Sequence, residues 1–257
     1  MGISNDTTVI AVEIGNTNTH IGSVDTATLA CSGRKDVATA MFMANPALIA
    51  EQISDDNRNL PWVIAGGRSR LANDLERMVR NHGVGTIAHL RFSNKFPLTF
   101  RYDDPESLGA DRIANAVFAC CRYPKRTVIT ISSGTAITID LISSSAEFCG
   151  GIIMAGIPAQ ISGLHVAAPT LPLLTVPQPH VPLPALSTEG CMRAGIVHGT
   201  AGAINHIVGR YGSSLSEEPL IIATGNGWKI TEPEIDFRYT FEADMTVIGT
   251  GLSYRYT

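Results

Sequence analysis

The alternation of apolar and polar positions along the chain predicts an α/β fold. Short apolar or alternating runs predict strands at 7–14, 18–24, 28–33, 62–65, 86–90, 127–132, 136–142 and 148–154. Apolar residues at helical spacing predict helices near 45–54, at 69–81, from Asp111 onward and along 188–208. Strands that alternate with helices indicate an α/β fold, and the hairpins among them predict mixed rather than purely parallel sheets.

Two strand–turn–strand segments share one layout about half a chain apart. The first turn reads Gly15-Asn16-Thr17-Asn18-Thr19, and the second reads Ser132-Ser133-Gly134-Thr135-Ala136. Such turns can present backbone N–H groups and hydroxyls to phosphate oxygens, although Gly-Asn turns are also common in ordinary hairpins. The repeat predicts a duplicated domain, with one copy over 1–115 and the other over 116–257.

Asp111 and Arg112 open a predicted helix, since the apolar residues that follow them have helical spacing. A helix N-terminus favours negative charge and offers free N–H groups to an anion. Asp111 is therefore a candidate base for a hydroxyl nucleophile, and Arg112 a candidate anion-binding group. The simpler alternative is a capping aspartate beside a solvated arginine.

Composition narrows the function classes. The 257 residues are 44% hydrophobic and 16% charged, which indicates a folded protein, and a net charge of −4 argues against nucleic-acid binding. No apolar run approaches a membrane span, and a secretory signal pattern is absent from the N-terminal residues. The five cysteines are odd in number and form no CxxC pair, so we expect reduced packing residues in a cytoplasmic protein.

Taken in order, the motifs resemble those of the type III pantothenate kinases, a family of the actin and sugar-kinase superfamily. The family pattern Asp-x-Gly-Asn-Thr-x4-Gly matches Glu13 to Gly22. The pattern Tyr-x2-Pro-x2-Leu-Gly-x-Asp-Arg matches Tyr102 to Arg112, and Asp-x-Gly-Thr-Ala matches Ser132 to Ala136. Gly150 to Gly156 resembles Gly-Gly-x-Ile-x-Pro-Gly, Thr188 precedes Met192 as the family threonine does, and Thr224-Gly225-Asn226 resembles Thr-Gly-Gly.

The resemblance implies two ribonuclease H-like domains with mixed sheets facing a nucleotide cleft. It implies ATP-dependent phosphorylation of pantothenate, the first step of coenzyme A synthesis, with Asp111 as base and Glu13 holding Mg²⁺ directly or through water. The implied ATP and phosphate contacts are Glu13, Gly15, Asn16, Thr17, Asn18, Thr19, Gly134, Thr135 and Gly225. The implied substrate contacts are Tyr102, Gly109, Ala110, Arg112 and Thr188. The region 188–208, with glycines at 195, 199 and 202, is implied to form a homodimer; packing within one subunit is the alternative.

Three departures from the family pattern fall in the predicted site. Glu13 replaces an aspartate and is one methylene longer. Ser132 replaces the aspartate that binds an activating monovalent cation (K⁺ or NH₄⁺), which removes a full charge from that position. Asn226 replaces a glycine of the nucleotide loop, where a positive φ is tolerated best by glycine and next by asparagine.

Two other functions remain open from the sequence. The departures at Glu13 and Ser132 are compatible with a regulatory relative that binds nucleotide or pantothenate without efficient turnover. A Rossmann dehydrogenase would need a complete G-x-G-x-x-G motif. The candidate starts at Gly225 and Gly249 carry Ile230 and Tyr254 at the third glycine position, so this function is disfavoured.

Overall fold

The computed structural model describes residues 8–45, 55–66 and 69–257. The chain packs into two compact units. The first contains the described residues up to Lys125 together with Ala146–Phe148 and Asp244–Thr257. The second contains Arg126–Ser145 and Cys149–Ala243.

The strands are β1 Thr8–Ile14, β2 Asn18–Asp25, β3 Ala30–Ala38, β4 Trp62–Ala65, β5 Ile87–His89, β6 Thr99–Phe100, β7 Val128–Ser133, β8 Ala136–Ile142, β9 Glu147–Ala155, β10 Leu220–Thr224 and β11 Thr240–Phe241. The apolar pattern predicts eight of these strands close to where they lie, but it does not predict β6, β10 and β11. The third strand is longer than expected, because β3 pairs with β2 from Ala30 to Ala38 across one register shift.

The helices are α1 Thr39–Ala44, α2 Asp55–Arg58, α3 Arg70–Asn81, α4 Ala110–Arg122, α5 Ile157–Ala167, α6 Thr188–Ser213, α7 Trp228–Thr231 and α8 Met245–Ser253. Short 3₁₀ turns cover Pro105–Ser107, Glu232–Glu234 and Tyr254–Tyr256. The predicted helix at 45–54 lies almost wholly outside the described residues, and the chain before it forms α1. Among the residues that the structure describes, no helix is long and apolar enough to cross a membrane.

The first unit is built on a mixed sheet in the order β3-β2-β1-β4-β5. β1, β2 and β3 are antiparallel neighbours, whereas β1, β4 and β5 are parallel. Alternate residues of these strands pack with α3 in one core that includes Val12, Trp62 and Leu75. The Ser69 hydroxyl begins α3 by accepting a hydrogen bond from the Ala72 amide at 3.2 Å.

The second unit repeats the arrangement with the order β11-β10-β7-β8-β9. β7 and β8 form an antiparallel hairpin, and β10 runs parallel to β7. Isoleucines at alternate positions of the hairpin pack with α6 around Trp228. The mixed sheets predicted from the hairpins are confirmed in both units.

The division of the chain differs from the expected boundary at residue 115, which falls inside α4. The whole of α4 belongs to the first unit because it packs on α8, where Gly249 lies against the backbone of Ala114. The Thr246 hydroxyl also donates to the Asn115 side-chain oxygen at 2.9 Å. The C-terminal residues therefore return to the first unit, a long-range contact that local patterns do not reveal.

Candidate active site

Hydrogen bonds from Thr39, the first residue of α1, stabilise the first hairpin turn. The Gly15 amide donates to the Asn18 carbonyl at 3.0 Å, and the Thr39 amide donates to the Thr17 carbonyl at 2.8 Å. The Thr39 hydroxyl donates to the Gly15 carbonyl at 2.8 Å and lies 3.1 Å from the Thr19 hydroxyl. Thr19 is therefore buried as a support of the turn, whereas Asn16 and Thr17 are exposed at its tip.

A row of titratable side chains crosses the three antiparallel strands next to this turn. Glu13 on β1 is the register partner of His20 on β2, and His20 is the partner of Asp36 on β3. The His20 Nε2 lies 3.7 Å from a Glu13 carboxylate oxygen, and its Nδ1 lies 2.6 Å from an Asp36 oxygen. Arg34 NH2 lies 3.2 Å from the same Nδ1, so this nitrogen faces both Asp36 and Arg34, while Nε2 faces Glu13.

Glu13 and Asp111 are electrostatic neighbours in the first unit. The pKa of Glu13 is raised from 4.5 to about 8, mainly by burial and to a lesser extent by the negative charge of Asp111. Arg34 acts in the opposite direction on the same pKa. A cation near Glu13 would relieve the cost of ionising this buried carboxyl.

Asp111 lies in the first turn of α4. The N-cap residue is Gly109, which has no side chain to offer, so Asp111 is not the capping aspartate of the simpler alternative. The Asp111 carboxylate folds back over Gly109, where a Cβ would lie 2.5 Å from its Oδ1. A side chain at position 109 would displace the carboxylate, which gives Gly109 a direct structural reason to be glycine.

Arg112 is buried rather than solvated, with only 4% of its surface exposed. Its guanidinium carbon lies 5.6 Å from the centre of the Tyr102 ring and 5.5 Å from that of Phe148. Its NH1 donates to the Tyr102 hydroxyl at 3.4 Å. Two aromatic faces thus fix the plane of the guanidinium, which restricts the direction from which an anion can approach it.

The second hairpin is held by glycines rather than by a helix. The Gly134 amide donates to the Ala136 carbonyl, and the Gly156 amide donates to the Thr135 carbonyl, each at 2.9 Å. A Cβ on Gly156 would lie 2.1 Å from the Gly134 carbonyl oxygen. The strand β9 can therefore reach this turn only because position 156 carries no side chain.

Ser132 lies in a row of hydroxyl side chains across the second sheet. Its register partners are Thr224 on β10 and Thr138 on β8. The Thr138 hydroxyl is buried and has no hydrogen-bond partner among the described residues. The buried carboxyl-bearing residue Asp140 follows two positions later on the same face of β8. The position of the expected cation-binding aspartate is thus neutral.

The loop after β10 shows why position 225 is a glycine and corrects the backbone conformation expected at Asn226. Gly225 has a φ of +93°, and a Cβ there would lie 2.3 Å from the Ser133 carbonyl oxygen. Asn226 is exposed and does not have a positive φ. The left-handed conformation expected at position 226 is therefore wrong; it belongs to Gly225, one residue earlier.

Thr188 is the first residue of α6 and is exposed. The Ser187 hydroxyl caps this helix by accepting from the Gly190 amide at 3.1 Å. Along the helix, Gly195, Gly199 and Gly202 are exposed, and a Cβ on any of them would meet no described atom within 4 Å. The glycine face is therefore not used for packing within the described part of the subunit.

Sequence reasoning overlooked several polar residues of the two units. In the first unit Asn115 is buried, His20, Arg34 and Asp244 are partly buried, and Asp36 is exposed; in the second unit Asp140 is buried. The signal for His20 was available, because a hairpin that turns at residues 15–18 places residue 20 opposite Glu13. No group of three or more histidine, cysteine, aspartate or glutamate side chains in the described ranges is arranged to hold a metal ion.

Comparison with known proteins supports the resemblance. The model of the type III pantothenate kinase family matches residues 9–210. A type III pantothenate kinase from Syntrophus aciditrophicus is 37% identical over 154 residues, which are 60% of each chain. One from Syntrophotalea carbinolica is 28% identical over 254 residues, which cover 96% of this chain and 98% of the relative.

The fold is also similar to solved structures. An archaeal actin homolog matches with a TM-score of 0.55 and 12% identity over 97% of this chain and 100% of that chain. A likeness at this identity concerns the fold alone. It agrees with the expected α/β class of two ribonuclease H-like domains, each with a mixed sheet.

Proposed function

Because this chain belongs to the type III pantothenate kinase family, we propose that it transfers the terminal phosphoryl group of ATP to the primary hydroxyl of pantothenate. The product is 4′-phosphopantothenate, and the reaction is the first step of coenzyme A biosynthesis. The observation that carries the proposal is that Asp111, whose charge raises the pKa of Glu13, and the buried Arg112 are consecutive residues in the first turn of α4.

Asp111 is the proposed base. Its carboxylate lies in the first turn of α4, and a carboxylate held in reach of the pantothenate hydroxyl can accept its proton. As the hydroxyl oxygen attacks the phosphorus, its proton passes to Asp111 and the ADP oxygen leaves. Most of the acceleration comes from holding the reactants in line and from neutralising charge.

Glu13 is the proposed magnesium ligand, directly or through water. A site with one or two carboxylates suits Mg²⁺, which usually keeps several waters and binds substrate phosphates as well. When bound there, the ion would neutralise negative charge on the phosphates of ATP. The raised pKa of Glu13 supports this assignment, because a nearby cation relieves the cost of ionising a buried carboxyl.

The two hairpin turns are the proposed phosphate-binding elements. The first offers Gly15, Asn16, Thr17 and Asn18, with Thr19 acting through its contact with Thr39. The second offers Gly134 and Thr135, and Gly225 follows the neighbouring strand. Backbone amides and hydroxyls of such turns are suited to phosphate oxygens.

Arg112 is the proposed partner of the pantothenate carboxylate. The aromatic pair Tyr102 and Phe148 holds its fork in one plane, which suits a planar carboxylate. Gly109, Ala110 and Thr188 are proposed as further contacts of pantothenate. The exposed glycine face of α6 and the exposed side chains of Val166, Leu183 and Leu186 support a homodimer.

Ser132 and its register partners do not suit a bound monovalent cation, whereas the family aspartate at this position would. Ser132, Thr138 and Thr224 are neutral, and a hard cation prefers charged oxygen ligands. No step of the proposed reaction therefore depends on such an ion.

The second candidate function is a binding protein with little turnover, which the neutral row at Ser132 favours. Purified protein should be assayed for ADP release from ATP and Mg²⁺ with and without pantothenate, and calorimetry should measure the affinity for each ligand. Pantothenate-dependent turnover supports the kinase. Binding of both ligands without turnover supports the second candidate, and binding of neither rejects both.

A further inference from the structure

Arg34 on β3 links two carboxylates that belong to distant parts of the chain. Its Nε and NH2 donate to the two Asp36 oxygens at 2.8 and 3.3 Å, and its NH1 donates to an Asp244 oxygen at 2.8 Å. The side chain is 22% exposed, so these bonds are less weakened by solvent than those of a fully exposed arginine.

One branch of this link leads to Glu13. The Asp36 oxygen that accepts from Arg34 Nε also lies 2.6 Å from His20 Nδ1. The other nitrogen of His20 lies 3.7 Å from the Glu13 carboxylate. The three residues Glu13, His20 and Asp36 are register partners on neighbouring strands, so a shift of β3 would move the group that faces Glu13.

The other branch leads to Asp111. Asp244 is the N-cap residue of α8, and Thr246 in the first turn of that helix bonds the Asn115 side chain on α4. The two helices approach closely at Gly249, where an added Cβ would lie 2.0 Å from the Ala114 carbonyl oxygen. Asp111 lies four residues before Asn115, on the same face of α4.

We propose that Arg34 is a positioning residue that sets the separation of the Glu13 and Asp111 carboxylates. It contacts neither of them and acts through Asp36 and His20 on one side and through Asp244 and α8 on the other. The inference rests on the proposed function, in which both carboxylates serve the phosphoryl transfer. A displacement of about 1 Å in such a site can lower the rate roughly 100-fold.

The first test compares Arg34→Gln and Arg34→Lys with a control, Arg80→Gln, which breaks a surface ion pair with Glu76 on α3. For Arg34→Gln we expect kcat for pantothenate phosphorylation to fall about 10- to 100-fold, with the KM for ATP and for pantothenate changed less than about three-fold. Arg34→Lys should be intermediate, because an ammonium cannot reproduce the fork that reaches both carboxylates. The control should keep wild-type values.

The second test asks whether the two branches act as one link. Asp36→Asn and Asp244→Asn should each lower kcat, and the double variant should lose little more than the worse single variant, since a link is broken at either end. Losses that multiply, or a KM effect larger than the kcat effect, would overturn the proposal.

Crystal structures of the wild type and of Arg34→Gln give a readout that does not need activity. The proposal requires the distance between the Glu13 and Asp111 carboxyl carbons to change by at least about 0.5 Å, and an unchanged distance overturns it. If the wild type has no pantothenate kinase activity, the proposed function fails, and this distance alone decides whether Arg34 sets the separation.

Discussion

Gly249 of α8 packs directly on Ala114 of α4, so closely that a Cβ on Gly249 would lie 2.0 Å from the Ala114 carbonyl oxygen. This contact joins the C-terminal helix to the helix that begins with Asp111 and Arg112. Because the obstructing atom is backbone, it cannot move aside without separating the helices. The position of the proposed base thus depends on a glycine more than one hundred residues away in the chain.

Gly249→Ala should therefore destabilise the protein by about 1–3 kcal/mol, the usual cost of overpacking a well-filled interface. Denaturant unfolding of the purified variant measures this value. Gly163→Ala on α5 is the matched control, since its Cβ would meet nothing within 4 Å. Alanine there should leave stability unchanged or raise it by up to about 1 kcal/mol. Equal effects of the two substitutions would argue against tight packing at Gly249.

Asp111→Asn should abolish most turnover while leaving the fold and ATP binding almost intact. The amide has the same shape as the carboxylate but cannot accept the proton of the hydroxyl nucleophile. Loss of a general base typically lowers the rate about 10²- to 10⁴-fold. Steady-state kinetics and nucleotide calorimetry measure the two properties, and Asp74→Asn on the surface of α3 serves as the control. Turnover near the wild-type level would remove Asp111 from the mechanism.

Arg112→Lys should weaken pantothenate binding more than it slows the chemical step. A lysine keeps the charge but loses the planar fork that Tyr102 and Phe148 hold in place. We expect the KM for pantothenate to rise about 10- to 100-fold, the range for a lost charged hydrogen bond, and kcat to fall much less. The neighbouring exposed Arg101 gives the control variant Arg101→Lys. An unchanged KM with a collapsed kcat would contradict the assignment.

The raised pKa of Glu13 predicts a pH-dependent stability of the protein without ligands. The folded state binds the proton of the Glu13 carboxyl more tightly than the unfolded chain does. The stability that this proton contributes is therefore fully present below pH 4.5 and is lost as the pH rises through about 8. Glu13→Gln cannot ionise, so the variant should gain stability relative to the wild type between pH 5 and pH 9. Each pKa unit corresponds to about 1.4 kcal/mol, which sets an upper range of a few kcal/mol.

Urea unfolding at pH 5, 7 and 9, without nucleotide or Mg²⁺, tests this dependence. The exposed Glu106 provides the control variant Glu106→Gln, which should follow the wild type at every pH. A Glu13→Gln curve parallel to that of the wild type over this range would show that burial does not hold the proton on Glu13.

The parts of the fold that follow from local patterns could be predicted from the sequence. The hairpin at Gly15, the hairpin at Gly134 and the helix after Gly109 each have a spacing that residues within a short window determine. The resemblance of these segments to family motifs also located Asp111 and Arg112.

The burial of Arg112 could not be predicted in the same way, because Phe148, which covers it, lies on a strand 36 positions later. The return of α8 to the first unit depends on the contact of Gly249 with Ala114, and no local pattern reports a contact of that range. The tie between Arg34 and Asp244 is of the same kind. The features that the sequence patterns did not predict depend on contacts between residues far apart in the chain.

The neutral hydroxyl row at Ser132 predicts an altered response to monovalent cations. Activity should be largely insensitive to replacing K⁺ by Na⁺ or by a bulky organic cation at constant ionic strength, because Ser132, Thr138 and Thr224 carry no charge. Ser132→Asp restores a carboxylate in that row, and it should raise turnover and introduce a dependence on K⁺. Ser216→Asp, which adds the same charge at an exposed loop position of the second unit, should do neither.

Asp140 would explain the opposite result, a strong activation of the unmodified protein by K⁺. Its side chain is buried on the same face of β8 as Thr138, so it is the candidate carboxylate if the unmodified protein proves strongly activated by K⁺. In that case Asp140→Asn should abolish the activation, and the account of a cation-independent site at Ser132 is wrong. If instead K⁺ has no effect and Ser132→Asp gains no activity, the row does not limit turnover. The loop at Asn226 then becomes the next position to vary, with Asn226→Gly as the first substitution.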